Sequence, residues 1–271
     1  MWFADRQPLQ VALLERQLVL ARGRRSGDAV EVIDLSPAGA STPVWQPAVD
    51  ALREWLARAG QKPVDLNVRL STHLVRWQLL PWQEQLSRPQ ERQAYARLRL
   101  RATFGAAADG WRVVGAPAAP GQAWPACAVD EALITALTAL QAPGGVRLRS
   151  VAPYFATAYD HWRGQLGRGS AWFGAVEPGA ITLGLLQNGR WCGLRTLRLA
   201  ASPDAGWLAQ LPALQAQIAV GAGLAGPPDA PLHLAGCTAQ PAPTQGQLVV
   251  WHAPAGAAEV AGGLARMAWG I

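Results

Sequence analysis

The Asn188-Gly189 pair, set between the apolar runs Ile181–Gln187 and Trp191–Leu199, constrains the fold more than any other feature of the chain. Both residues tolerate the positive φ that a two-residue type I′ turn demands, so the flanking runs are predicted to be the strands of a hairpin. A third run, Ala171–Val176, precedes them, and shorter ones follow at Leu232–Ala235 and Leu248–Trp251. A helical stretch at about 207–220 lies between. Strands alternating with helices make this half of the chain mixed α/β.

The first half follows the same grammar. Apolar runs at Leu9–Leu20 and Ala29–Leu35 flank Gly23-Arg24-Arg25-Ser26-Gly27, a predicted hairpin turn. Val49, Leu52, Leu56 and Ala59 recur at helical spacing, predicting a helix over about 48–59 ended by Gly60. Val64–Leu70 and Leu74–Leu80 read as strands, the second stopped by Pro81. Ser87-Arg88-Pro89-Gln90 reads as a capping box with Ser87 as N-cap, opening a helix to Phe104 whose packed side is read from Tyr95, Leu98, Ala102 and Phe104. Strands at Trp111–Val114 and Ala126–Val129 lead to Asp130, an N-cap for a helix bearing Leu133, Leu137 and Leu140. A strand at Val146–Val151 and a helix from Pro153 through Trp162 complete this half. A composition change at Gly164–Ser170 divides a first unit, 1–165, from a second, 166–271; no internal repeat of fixed period is visible.

Composition narrows function chiefly by exclusion. The chain carries only 15% charged residues, against about 25% in a typical soluble domain. Its surface must therefore be made of small and amide residues, or be covered by a partner. A net charge of +6, with lysine only at Lys62, invites a nucleic-acid reading. Beyond Arg24-Arg25 and the alternation of Arg97, Arg99 and Arg101 there is no basic block, so no nucleic-acid partner is expected. Cys127, Cys192 and Cys237 are odd in number and contain no CxxC, which fits a reducing compartment and neither a disulfide framework nor a zinc site. His73, His161, His233 and His252 show no ligand spacing, and no metal is expected. No GxSxG elbow, P-loop or GxGxxG is present, so no catalytic residue is assigned. With neither a signal-type leader nor an apolar run long enough to span a bilayer, a cytoplasmic location is expected. Thirteen tryptophans are spread along the chain, some expected in the core and some in contact patches.

The order of elements, with Leu79-Leu80-Pro81-Trp82 closing a strand and Cys127-Ala128-Val129-Asp130 entering a helix, resembles the cytoplasmic actin-like proteins of type IV pilus and type II secretion assembly. These include PilM-type proteins, the L component of type II secretion, and MshI-type pilus biogenesis proteins. The line from Phe173 to Arg190 is similar to the family's strand, acidic residue, glycine and hairpin, with Glu177-Pro178-Gly179 in place of Asp-x-Gly. Leu232–Cys237 is similar to the strand and Gly-Gly that approach adenosine, with Cys237 replacing the second glycine. The resemblance implies an α/β, actin-like (RNase H-like) fold of two subdomains with mixed sheets flanked by helices. It also implies a smaller subdomain inserted at about 64–140.

The departures from the pattern carry the functional expectation. In active members the first hairpin holds Asp-x-Gly against phosphate and magnesium, whereas Leu9–Arg16 offers neither aspartate nor glycine. Only glycine removes the Cβ that would block a phosphate, and Pro178 removes a backbone donor. The resemblance therefore implies a degenerate nucleotide cleft, marked by Glu15, Glu177, Gly179, Gly236 and Cys237, with no cofactor bound. The implied role is a non-catalytic cytoplasmic scaffold, peripheral to the inner membrane, that binds the cytoplasmic segment of a single-span membrane protein, with a homodimer left open. Two rivals stand beside it: an active ATP- and magnesium-dependent ATPase or sugar-kinase-like enzyme using Glu15 or Glu177, and a basic nucleic-acid-associated protein.

Overall fold

A computed structural model describes residues 6–22, 30–58, 63–116, 119–142, 145–199, 209–236, 249–252 and 262–271. The chain builds two five-stranded sheets of the same plan. In the first, β1 (Gln7–Leu13), β2 (Gln17–Arg22) and β3 (Val30–Asp34) form an antiparallel meander, and β4 (Val64–Leu70) and β8 (Val146–Pro153) add in parallel beside β1. In the second, β9 (Ser170–Glu177), β10 (Ala180–Gln187) and β11 (Arg190–Arg198) form the meander, with β12 (Leu232–Gly236) and β13 (Val249–His252) parallel beside β9. This duplication of topology has no counterpart as a sequence repeat.

Alternation along the strands explains how the sheets pack. Leu9, Val11, Leu13, Leu18, Leu20, Leu66 and Val68 face α1 (Gln46–Arg58) and α3 (Glu131–Thr138), meeting Val49, Leu52, Leu133 and Leu137. The intervening residues Ala12, Val19 and Ala21 are smaller and face the other way. In the second sheet Trp172, Val176, Ile181, Leu183 and Leu185 pack on α5 (Leu211–Gly221), while Phe173, Ala175 and Ala235 face the first sheet. Between these two faces lie α4 (Tyr154–Trp162) and α6 (Gly262–Trp269), which bring Tyr154, Phe155, Ala158, Met267 and Ala268 into one shared core. The lobes are joined through buried apolar surface.

A third sheet, β5-β7-β6, is inserted between β4 and β8. It comprises β5 (Val75–Leu80), β6 (Trp111–Gly115) and β7 (Trp124–Asp130), covered by α2 (Pro89–Phe104) through Ala96 and Leu100. The insertion is thus narrower than 64–140: β4 pairs with β1 in the main sheet, and α3 packs on the core of the first lobe.

Three local expectations are corrected. Leu9–Leu20 is two strands, because Leu14-Glu15-Arg16 turns the chain and Leu14 N donates to Gln17 O at 3.0 Å. No glycine or proline marks that turn; the burial of Leu14 in the shared core holds it. The N-cap of α2 is Arg88, since Pro89 takes the first helical position. Arg88 N donates to Glu91 Oε2 at 3.0 Å, so the carboxylate half of the box forms one residue later than read. The packed face of α2 is also rotated, leaving Leu98 64% exposed while Ala96 and Leu100 are buried. The Asn188-Gly189 turn forms as predicted, with φ of 51° and 74°. The turn at 23–27, Trp207, Cys237 and Leu248 lie outside the described residues.

Candidate functional site

The two hairpin tips that would face each other across a nucleotide cleft, Leu14-Glu15-Arg16 and Glu177-Pro178-Gly179, are bridged by a third segment, Ser71-Thr72-His73, which follows β4. Ser71 N donates to Leu13 O at 3.0 Å, anchoring this segment to the end of β1. From there it reaches the second lobe. Ser71 Oγ donates to Glu177 Oε2 at 2.5 Å, and Thr72 N donates to both carboxylate oxygens of Glu177, at 3.1 and 2.9 Å. Thr72 Oγ1 lies 2.9 Å from Thr182 Oγ1, which lies 3.1 Å from Thr196 Oγ1. His73 Nε2 is 3.0 Å from Pro178 O, and its Nδ1 is 3.3 Å from Glu15 Oε2, within ion-pair reach but without hydrogen-bond geometry.

Glu177, Ser71, Thr72 and Thr182 are all buried. Burial pushes the Glu177 carboxyl above its ordinary range, and the bonds from Ser71 and Thr72 and the nearby His73 offset part of that shift. A buried carboxylate that has spent its lone pairs on donors of the opposite lobe is a cross-lobe bolt. The His73 ring occupies the space beside Gly179, where an added Cβ would stand 3.5 Å from Nε2. Gly236 sits on β12 opposite Val176, so closely that a Cβ would run into the Val176 carbonyl oxygen.

The structure gathers Glu15, Glu177, Gly179 and Gly236 around one junction, while Cys237 lies outside the described residues. These groups do not fit a phosphate and magnesium. The first turn offers no glycine, Glu177 is bonded within the protein, and His73 stands between the tips. No sequence motif singled out Ser71, Thr72, Thr182 or Thr196, and His73 showed only the absence of ligand spacing. The available signal was the polar Ser-Thr-His run directly behind an apolar strand. No group of three metal-ligating side chains occurs among the described residues.

A second concave feature lies on the first lobe. β8 ends the first sheet, and its outer edge pairs with no strand among the described residues. Alongside it runs a groove of about 640 Å³ between β7, α3 and β8, lined by Val114, Cys127, Val129, Ile134, Leu148 and Val151 with Arg112 and Arg149 at its rim. Burial raises the Cys127 thiol to about 11, so this groove cysteine is a packing residue. Every tryptophan whose side chain is described is buried or half-buried.

No family model matches the chain, and no curated protein matches it. Solved structures do. The cytoplasmic domain of EpsL, an inner membrane component of the type II secretion system of Vibrio cholerae, is 12% identical and has a TM-score of 0.57 over 97% of this chain and 92% of that one. A Bacteroides thetaiotaomicron protein with an actin-like ATPase fold and unknown function is also 12% identical, with a TM-score of 0.53 over 88% of this chain and 84% of that one. A PilM–PilN type IV pilus biogenesis complex is 11% identical over 79% of this chain and 71% of that one, with a TM-score of 0.46. The fold is actin-like, and the resemblance to actin-like secretion-assembly proteins holds at the level of fold.

Proposed function

We propose that this protein is a non-catalytic docking scaffold of a secretion- or pilus-type envelope machine, working from the cytoplasmic side. One observation carries the reading: Glu177, which stands in place of the acidic residue of the family's second hairpin, is buried and bonded to Ser71 and Thr72 of the other lobe. Opening the cleft for a triphosphate would break those bonds, at about 1–3 kcal/mol each. With the cleft closed in this way, function passes to the outer surface. The groove beside β8 supplies what an extended partner needs: a strand edge unpaired among the described residues, for main-chain hydrogen bonds, and apolar pockets for alternate side chains. Its occupant in this reading is the short cytoplasmic segment of a single-span inner-membrane protein. The likeness in fold to an inner-membrane secretion component supports that choice.

Two measurements test the proposal. Titration with ATP and magnesium should give no saturable binding below millimolar concentration; tight magnesium-dependent binding would overturn the non-catalytic reading. A photo-crosslinking residue at Val114 or Ile134, in the native cell, should capture a single-span membrane protein. Crosslinks only to soluble proteins, or equal capture from a probe at Val220 on the other lobe, would dismiss the groove as the docking site.

A further inference from the structure

A cavity of about 570 Å³ opens between β5 of the inserted unit and β11 of the second lobe, a separate concavity from the groove beside β8. Its charged lining is of one sign. Arg76, Arg195 and Arg198 face it with Thr103, Thr196 and Gln78, and no aspartate or glutamate lines it. None of the three guanidinium groups has a carboxylate within ion-pair distance among the described residues. Arg76 is half-buried and held in place, its Nη1 donating to His73 O and Val75 O at 3.1 Å each. That leaves the rest of its fork free toward the cavity.

A like charge beside the half-buried Arg76 opposes folding unless a counter-charge joins it. Burial, and then the charge of Arg198, press the Arg76 guanidinium below its ordinary value. We propose that this cavity is an oxyanion site that takes a phosphoryl group, clamped between the inserted unit and the second lobe. A single carboxylate would neutralise only one of three guanidiniums, whereas a phosphoryl group brings up to two charges and three acceptor oxygens. Planar guanidinium forks match those oxygens, and the neighbouring hydroxyls can donate to the remainder. Thr196 also ends the hydroxyl chain that runs through Thr182 and Thr72 to the bolt at Glu177. The ligand would therefore brace the same junction from outside. This site stands whether or not the scaffold reading does, since neither the groove nor the empty-cleft argument enters it.

The phosphoryl group can belong to a soluble molecule or to a lipid headgroup, and the test separates them. Pyrophosphate is titrated calorimetrically into the full chain at about 150 mM ionic strength, with chloride balancing the salt. In parallel the chain is floated with phosphatidylglycerol vesicles and with phosphatidylcholine vesicles. The variant is Arg195→Ala with Arg198→Ala, two exposed positions whose loss leaves the core intact. Saturable pyrophosphate binding that weakens at least about tenfold in the variant assigns a soluble phosphoryl ligand. Flotation with phosphatidylglycerol alone, lost in the variant, assigns a lipid headgroup. Arg76→Lys, which keeps the charge but not the fork, should weaken either response. Absence of both responses in the wild type, or the same response in wild type and the double variant, overturns the site.

Discussion

At the scale of single residues, Glu177 decides what the junction is. Its folded carboxyl holds a proton to higher pH than in the unfolded chain, because burial outweighs the donors around it. The folded state thus binds more protons, and stability from this group is complete below the ordinary carboxylate range and is lost as pH rises through the folded value. Glu177→Gln keeps an acceptor for Thr72 N and a donor for Ser71 Oγ, and it cannot ionise. Thermal melts from acid to neutral pH should show the wild type losing stability relative to Glu177→Gln; a constant difference would show the carboxyl to be unperturbed. Glu177→Ala leaves Ser71 and Thr72 without their acceptor and should cost about 2–3 kcal/mol in urea unfolding. Part of this site was legible. Glu177 and Glu15 stood out on their hairpins, but Ser71, Thr72 and Thr196 carry no local mark of partners up to 110 residues away. Hydrogen bonds at such separation are invisible to any periodicity.

At the scale of elements, local chemistry set the hairpins and helix starts where a special backbone was needed. Gly189 has φ of 74° and open space around its Cα, so a side chain there meets only backbone strain. Gly189→Val should cost about 1–2 kcal/mol by equilibrium denaturation, without affecting the shared core; a larger loss would mean that the hairpin packs more tightly than its exposure indicates. Pro89 fixed the start of α2 within one residue for the same local reason. The turn at Leu14–Arg16 was hidden by the opposite circumstance. Its residues have no turn preference, and only the burial of Leu14 against α4 and α6 makes the bend worthwhile. The face of α2 was misjudged because its apolar residues are few and include Leu98, which the inserted sheet does not cover.

At the scale of the whole molecule, the shared core makes two lobes behave as one. Phe155 touches Trp77, Phe173 and Trp191 with ring centroids 5.4 to 5.7 Å apart, linking the insertion, both lobes and α4. Such ring pairs add about 0.5–1.5 kcal/mol each beyond their burial. Far-ultraviolet and near-ultraviolet melts should therefore coincide in a single transition, and two separated transitions would show the lobes to be independent. Phe155→Ala should destabilise the chain by about 3–5 kcal/mol and lower that one transition as a unit.

Strand and helix identity, the type I′ turn and the missing glycine of the first hairpin were determined by the amino-acid order alone, because each depends on neighbours within a few residues. The identical plan of the two sheets, the seating of α4 and α6 between them, and the bonding of Glu177 to Ser71 and Thr72 were decided only by tertiary structure. Those features arise where faces of distant strands come together and a buried polar group must find its partner across the chain.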